Sequence, residues 1–318
     1  MQRVLTTVTL LGLLVATAAA FAITEHLKQI KSPIYGALVY AGPTPPARAL
    51  GSTIFSPVCH CLTGTATIRI KVRHRSRVTV TIVDSGGNRV ATITSNELLN
   101  ARSPHHWPWN GRTAAGAVAP DGVYHPWVSL PHRTLKFTNR IIVDTKPPKV
   151  LAASVAKPVL FAGPGRSVAI RYSFNEHAHA AVYLGRRLII FGRTTQLSDK
   201  VKWQGELGGR PLPAGKYVLS VGAQDLAGNE APAAKRRQVT VVVRYVELSP
   251  QRMTVRGGGR IRVGVETAAR QYKWRLGHRH GTARRKVLRL RAPTTPGTYR
   301  LVVGEDGQST TAVVRVHK

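Results

Sequence analysis

Two cysteines stand one residue apart in Cys59-His60-Cys61, and the chain has no others. A redox catalyst would want Cys-x-x-Cys opening a helix, whereas this pair is surrounded by strand-like sequence. Three readings stay open. The pair closes a small, strained and therefore redox-labile disulfide; its thiols join two chains; or it holds a metal together with His60. The metal reading lacks a second ligand cluster at zinc-type spacing. Histidines also pair at His105-His106, at His177 and His179, and at His278 and His280. The last two pairs would place both rings on one face of a strand, a geometry able to hold a metal. Arg279 and its basic neighbours repel a cation, and carboxylates are few, so no metal site is expected.

Motifs for catalysis are absent from the sequence. It contains no Gly-x-Ser-x-Gly elbow, no His-Glu-x-x-His and no glycine-rich phosphate loop ahead of a helix. Gly257-Gly258-Gly259 reads as a turn flanked by arginines. The expectation is a protein that is not an enzyme and uses no cofactor.

Lys and Arg number 47 against 14 Asp and Glu, a net charge of +33, so the surface carries a positive field that attracts polyanions. The arginines are spread along the chain and are not interleaved with aromatics, which argues against a nucleic-acid groove. Solvated strand faces account for the charge as well as a bound ligand would. The partners that fit are anionic cell-wall polymers or other envelope proteins.

The elements that must position these residues are strands. From Ala66 to Arg73 every second residue is apolar, and Val78 to Val83 repeats the pattern, as half-buried strands do. Asp84-Ser85-Gly86-Gly87-Asn88 then supplies turn chemistry before Arg89 to Ile93 resumes the alternation. One segment occurs twice. Trp109-Asn110-Gly111 leads through Gly116 and Pro120-Asp121-Gly122 to Tyr124; Trp203-Gln204-Gly205 leads through Gly209 and Pro213-Ala214-Gly215 to Tyr217. Trp and Tyr are 15 residues apart in the first copy and 14 in the second, and the copies are 94 residues apart, the length of one β-sandwich module. Trp109, Gly111, Gly122 and Tyr124, with Trp203, Gly205, Gly215 and Tyr217, therefore read as a structural motif. A carbohydrate-stacking platform on the tryptophans is the sharper alternative.

This order of strand, Asp-x-Gly turn, strand, Trp-x-Gly and Pro-x-Gly-x-Tyr resembles the immunoglobulin-like domain of the flagellar hook-capping protein, the FlgD type, which occurs in tandem in bacterial surface proteins. The likeness covers about residues 65 to 135, and about 165 to 243 in a diverged copy that lacks the Asp-x-Gly turn. It implies an all-β fold of tandem immunoglobulin-like β-sandwiches and says little about function. A flagellar role is not implied. Gln224 to Asn229 resembles the late hairpin of bacterial immunoglobulin-like repeats, with Gly228 and Asn229 suited to left-handed backbone and Asp225 to capping the turn.

The N-terminal run from Val4 to Ile23 is largely apolar, carries no charge and follows Arg3. Its length suits a transmembrane signal anchor, while Ala18, Ala20 and Ala22 offer cleavage sites to a signal peptidase. Either way the remainder crosses the membrane, giving a cell-membrane protein with an extracytoplasmic C-terminal part, or a secreted one if cleaved. The expected organisation is a signal anchor or signal peptide over 1–23, a membrane-proximal segment with a Pro-rich linker over 24–53, FlgD-like domains over 54–146 and 147–246, and a smaller sandwich over 247–318. Its last stretch carries Pro296-Gly297-Thr298-Tyr299, an echo of the repeat without the tryptophan. The functional expectation is a membrane-tethered, non-catalytic scaffold; the alternative is a module that holds anionic wall polymer on its basic surface.

Overall fold

A computed structural model describes residues 12–21, 32–43, 52–305 and 307–318. The chain is built almost wholly of antiparallel strands, in tandem immunoglobulin-like sandwiches, and divides into two compact units, residues 1–145 and 146–318. The described part of the N-terminal segment is a helix over residues 12–21, with Leu13, Leu14 and Phe21 exposed. Among the described residues no helix is long and apolar enough to cross a membrane. The rest of the apolar run, and most of the Pro-rich linker, lie outside the described residues.

In the first unit a three-stranded sheet orders strands Ile34–Ala41, Ala66–Val72 and Pro104–Trp109. It faces a second sheet ordered Ser52–Phe55, Arg140–Val143, Gly122–Leu130, Ser76–Asp84 and Arg89–Leu99. Alternation decides the faces. Ile68, Ile70 and Val72 on one sheet and Val78, Val80 and Ile82 on the other are all at most 1% exposed and meet in one core, while the alternate residues Arg69 and Lys71 are half-buried and Arg77 is exposed. Register is direct: Val80 pairs with Val128, and Ala66 with Trp109.

Strand Ile34–Ala41 corrects the expected linker over 24–53. Its Ile34, Leu38, Val39 and Tyr40 are buried, and the backbone is pinned at one end by Arg73 N–H to Pro33 O at 2.9 Å and at the other by Gly42 N–H to Thr65 O at 2.8 Å. A bulge between Tyr35 and Leu38, with Gly36 at φ +60°, shifts the strand's phase, so its sequence shows no clean period of two.

The second unit contains two further sandwiches, on one continuous apolar cluster that runs from Val150 to Val316. In the first of them the 17-residue strand Val168–Leu184 serves both sheets. Its first half pairs with Val150–Val155 and Gln196–Trp203, and its second half with Arg187–Phe191 and Gly215–Gln224. The pairing slips between Ser173 and Ala178, where the strand changes sheets. The last sandwich stacks a sheet of Val246–Ser249, Arg260–Thr267 and Val287–Arg291 on one ordered Arg252–Arg256, Gln308–His317, Gly297–Glu305, Tyr272–Leu276 and Arg279–Ala283.

Candidate functional site

The residues best equipped for chemistry are tied into the fold. The repeated motif builds the same corner twice. Trp109 ends its strand 1% exposed, donates its indole N–H to Arg112 O at 2.9 Å, and meets Tyr124 edge-on with ring centroids 5.2 Å apart. Trp203 does the same, 3% exposed, with Glu206 O at 3.0 Å and Tyr217 at 6.0 Å. Between Trp and Tyr the chain turns back through Gly111 at φ +71° and Gly205 at φ +78°, whose carbonyls accept N–H bonds from Ala119 and Leu212. Left-handed backbone is open to glycine with little cost.

The tyrosines close the corner. Tyr124 donates its hydroxyl to Pro120 O at 2.6 Å and Tyr217 to Pro213 O at 2.7 Å, each four residues upstream. Such a tyrosine corner is a hallmark of immunoglobulin-like sandwiches. The last module keeps it without a tryptophan, since Tyr299 donates to Thr295 O at 2.9 Å. Burial raises the Tyr124 phenol above its usual range, and the charges of Asp84 and Asp121 add to this, so the group stays a neutral donor. With both indoles inside, the tryptophans of the motif present no platform for a sugar.

Cys59 and Cys61 form a disulfide, with Cα atoms 5.2 Å apart, in the turns between strands Ser52–Phe55 and Ala66–Val72. Cys61 Sγ also lies 3.1 Å from the Thr63 hydroxyl, and His60 is exposed at φ +50°.

The histidines are dispersed. His106 Nδ1 pairs with the Tyr40 hydroxyl at 2.9 Å, and His105 contacts Asn100 O at 3.1 Å. His179 contacts Gly192 O at 2.8 Å while stacking on Phe191, and His177 is exposed on the same strand. His278 lies in the turn before strand Arg279–Ala283, so it and His280 do not share a strand face as the spacing suggested.

The turn at Gln224 to Asn229 is closed in the same way as the turn at Asp84 to Asn88, a likeness that comparison of the two Trp–Tyr copies does not reveal. Asp84 accepts the Asn88 backbone N–H at 2.8 Å and its side-chain amide at 3.0 Å; Asp225 accepts the same two donors of Asn229, both at 2.8 Å. Gly87 at φ +83° and Gly228 at φ +95° make the same bend. The turns differ in place. The first joins strands ahead of its tryptophan, and the second follows the strand of Tyr217. The Asn88 bonds hold the Asp84 carboxyl below the usual carboxylate range.

One exposed carboxylate is tied to a tryptophan. Glu97 accepts the Thr94 hydroxyl at 2.7 Å and the Trp107 indole N–H at 2.8 Å, and these bonds, with a smaller pull from His105, lower its pKa below the usual 4.5. A depressed folded-state pKa stabilises the fold above the unfolded value, and that contribution is lost as pH falls through the folded one. Acid titration below pH 4.5 should therefore change Trp107 emission, and the step should vanish from the difference spectrum in Glu97→Gln. An unchanged step in that variant would reject the assignment.

The second unit also holds a cleft of about 1250 Å³ between its two sandwiches. Lys157, Arg166, Arg270, Arg284, Arg285 and Lys286 outnumber Glu247 and Glu266 along it. It is polar and basic, and among the described residues no set of side chains there converges as a nucleophile with a base.

No curated protein matches the chain. Solved structures with which it aligns include the titin I-band fragment I67–I69, at 10% identity over 90% of this chain and 98% of that one with a TM-score of 0.30. Extracellular domains 3–5 of Drosophila OTK align at 10% identity over 89% and 97%, TM-score 0.18. The four N-terminal Ig domains of Dscam1 isoform 6.9 align at 14% identity over 89% and 72%, TM-score 0.21. The match that coincides with the site is the family described as FlgD Ig-like domain, over residues 58–130, which take in the disulfide and the whole first Trp–Tyr corner. That stretch of the chain is a FlgD-type immunoglobulin-like domain.

Proposed function

We propose that the chain is a non-catalytic envelope protein, a membrane-tethered array of immunoglobulin-like modules that acts as a scaffold or interaction surface outside the membrane. The observation that carries this reading is how the aromatic groups of the motif are used: both tryptophans and all three corner tyrosines bond within the module that carries them. The apolar N-terminal run supports the tether. Membrane fractionation with protease treatment of intact cells tests it. A chain found in the membrane fraction, its tail cleaved from outside, is the expected result; a soluble or protected tail overturns it.

The net charge of +33 favours a second reading, in which the exposed face retains an anionic wall polymer. Retention on purified wall should then fall steeply as salt screens the charges.

A further inference from the structure

The register of the last sandwich brings together four arginines that the sequence separates. Strands Arg260–Thr267 and Val287–Arg291 pair so that Arg260 stands opposite Arg291 and Arg262 opposite Arg289. Ile261, Val263, Leu288 and Leu290 take the buried face of these strands, which leaves all four arginines on the exposed one. Directly opposed residues of an antiparallel pair have Cβ atoms about 5 Å apart, and successive rows on one face are about 6.8 Å apart. Four guanidinium groups thus form a two-by-two ladder. Among the described residues none of the four side chains makes a hydrogen bond or an ion pair. A fifth arginine adjoins them, Arg279, which donates Nη1 to Arg291 O at 2.9 Å.

Like charges directly opposed across a sheet destabilise it, so an unpaired ladder calls for an anion to neutralise it. The guanidinium fork matches the oxygens of a phosphate bidentately, which an ammonium does not. On the same face the rows beyond Arg262 carry Gly264, Ser249 and Val287, with Glu247 and Glu266 further on. No aromatic is present there for a base to stack on. Those two glutamates also flank the cleft, making its sheet-side wall less favourable to anions than the ladder.

We propose that this arginine ladder is the docking face for a linear polyol-phosphate polymer, whose phosphodiesters lie along the two rows. The proposal rests on the anionic-polymer reading above and assigns it to one face.

The test measures binding of labelled poly(glycerol phosphate) to the full chain over a salt series. In one variant Arg260, Arg262, Arg289 and Arg291 become Gln; in a charge-matched control Arg186, Arg187, Arg193 and Arg210, exposed elsewhere in the same unit, become Gln. The ladder variant should bind about tenfold or more weaker, and its slope of log K against log salt should fall by about 3, close to 0.7 per lost contact on a flexible single chain. The control should stay near the unsubstituted chain. Equal weakening in both variants overturns the ladder and leaves diffuse basic binding intact. No binding by the unsubstituted chain at low salt rejects both the ladder and the anionic-polymer reading. Tighter binding of single-stranded DNA, or equal binding of polyglutamate, overturns the choice of occupant. Relief of repulsion should raise the melting temperature of the ladder variant without polymer. Should it instead melt low, the paired variants Arg260→Gln/Arg291→Gln and Arg262→Gln/Arg289→Gln are read separately, each expected to lose about half of the slope change.

Discussion

Trp109→Ala is expected to lower the stability of the first unit by about 3–5 kcal/mol, the range for removing a fully buried large aromatic. Trp109 is 1% exposed and packs edge-on against both Phe55 and Tyr124, at 5.7 and 5.2 Å. Neither sheet can close over the gap without moving, because Trp109 pairs in register with Ala66 at the end of its strand. The truncation also strands the Arg112 carbonyl that the indole N–H satisfies. Domains of this kind are stable by only about 5–15 kcal/mol, so the variant approaches unfolding. Tyr124→Phe removes a hydroxyl bond alone and should cost about 1 kcal/mol. Chemical denaturation gives both values. Hydrogen exchange should show the protection of strands Ala66–Val72 and Gly122–Leu130 falling in the order Tyr124→Phe, then Trp109→Ala. A Trp109→Ala loss no larger than that of Tyr124→Phe would show that the tryptophan does not hold the corner.

Gly111→Ala is the second large effect. At φ +71° a side chain costs about 1–2 kcal/mol. A Cβ there would also lie 2.7 Å from Pro57 Cβ and 3.1 Å from Phe55 Cε2, and overpacking of this sort costs about 1–3 kcal/mol. The total of about 2–5 kcal/mol has an internal control. Gly116 has φ +81° and nothing within 4 Å of the Cβ that alanine would add, so Gly116→Ala should show the backbone cost alone. Unfolding midpoints of the two variants separate clash from conformation. Equal losses would mean that Pro57 yields freely and that the close approach is unimportant.

The corner was legible because its parts are local in sequence. Trp, a turn glycine and Tyr lie within one short segment, and the side-chain bonds that close the corner run three or four residues along the chain, as from Trp109 to Arg112 and from Tyr124 to Pro120. Alternation in Ala66 to Arg73 and Val78 to Val83 likewise marked strands, since side chains on a pleat change face at every residue. Strand Ile34–Ala41 was hidden because its bulge breaks that period. The turn at Asp225 to Asn229 was legible as a turn, but its equivalence to the turn at Asp84 to Asn88 was hidden because the two sit at different points of their modules.

The two cysteines show both sides of this division. Their spacing confined them to a small ring, another chain or a metal, and the fold places them in a tight turn as a disulfide. The histidine pairs looked alike in sequence, yet one ring meets Tyr40, another a backbone carbonyl across a strand pair, and a third lies in a turn. By itself the sequence determined an all-β chain, a repeated Trp–Tyr corner and a strongly basic surface, because composition, period and short spacings are local quantities. Only tertiary pairing decided that Arg260 faces Arg291 and Arg262 faces Arg289, since register joins strands that other elements separate along the chain, and a slip of one strand by one residue would send its two arginines to the opposite face.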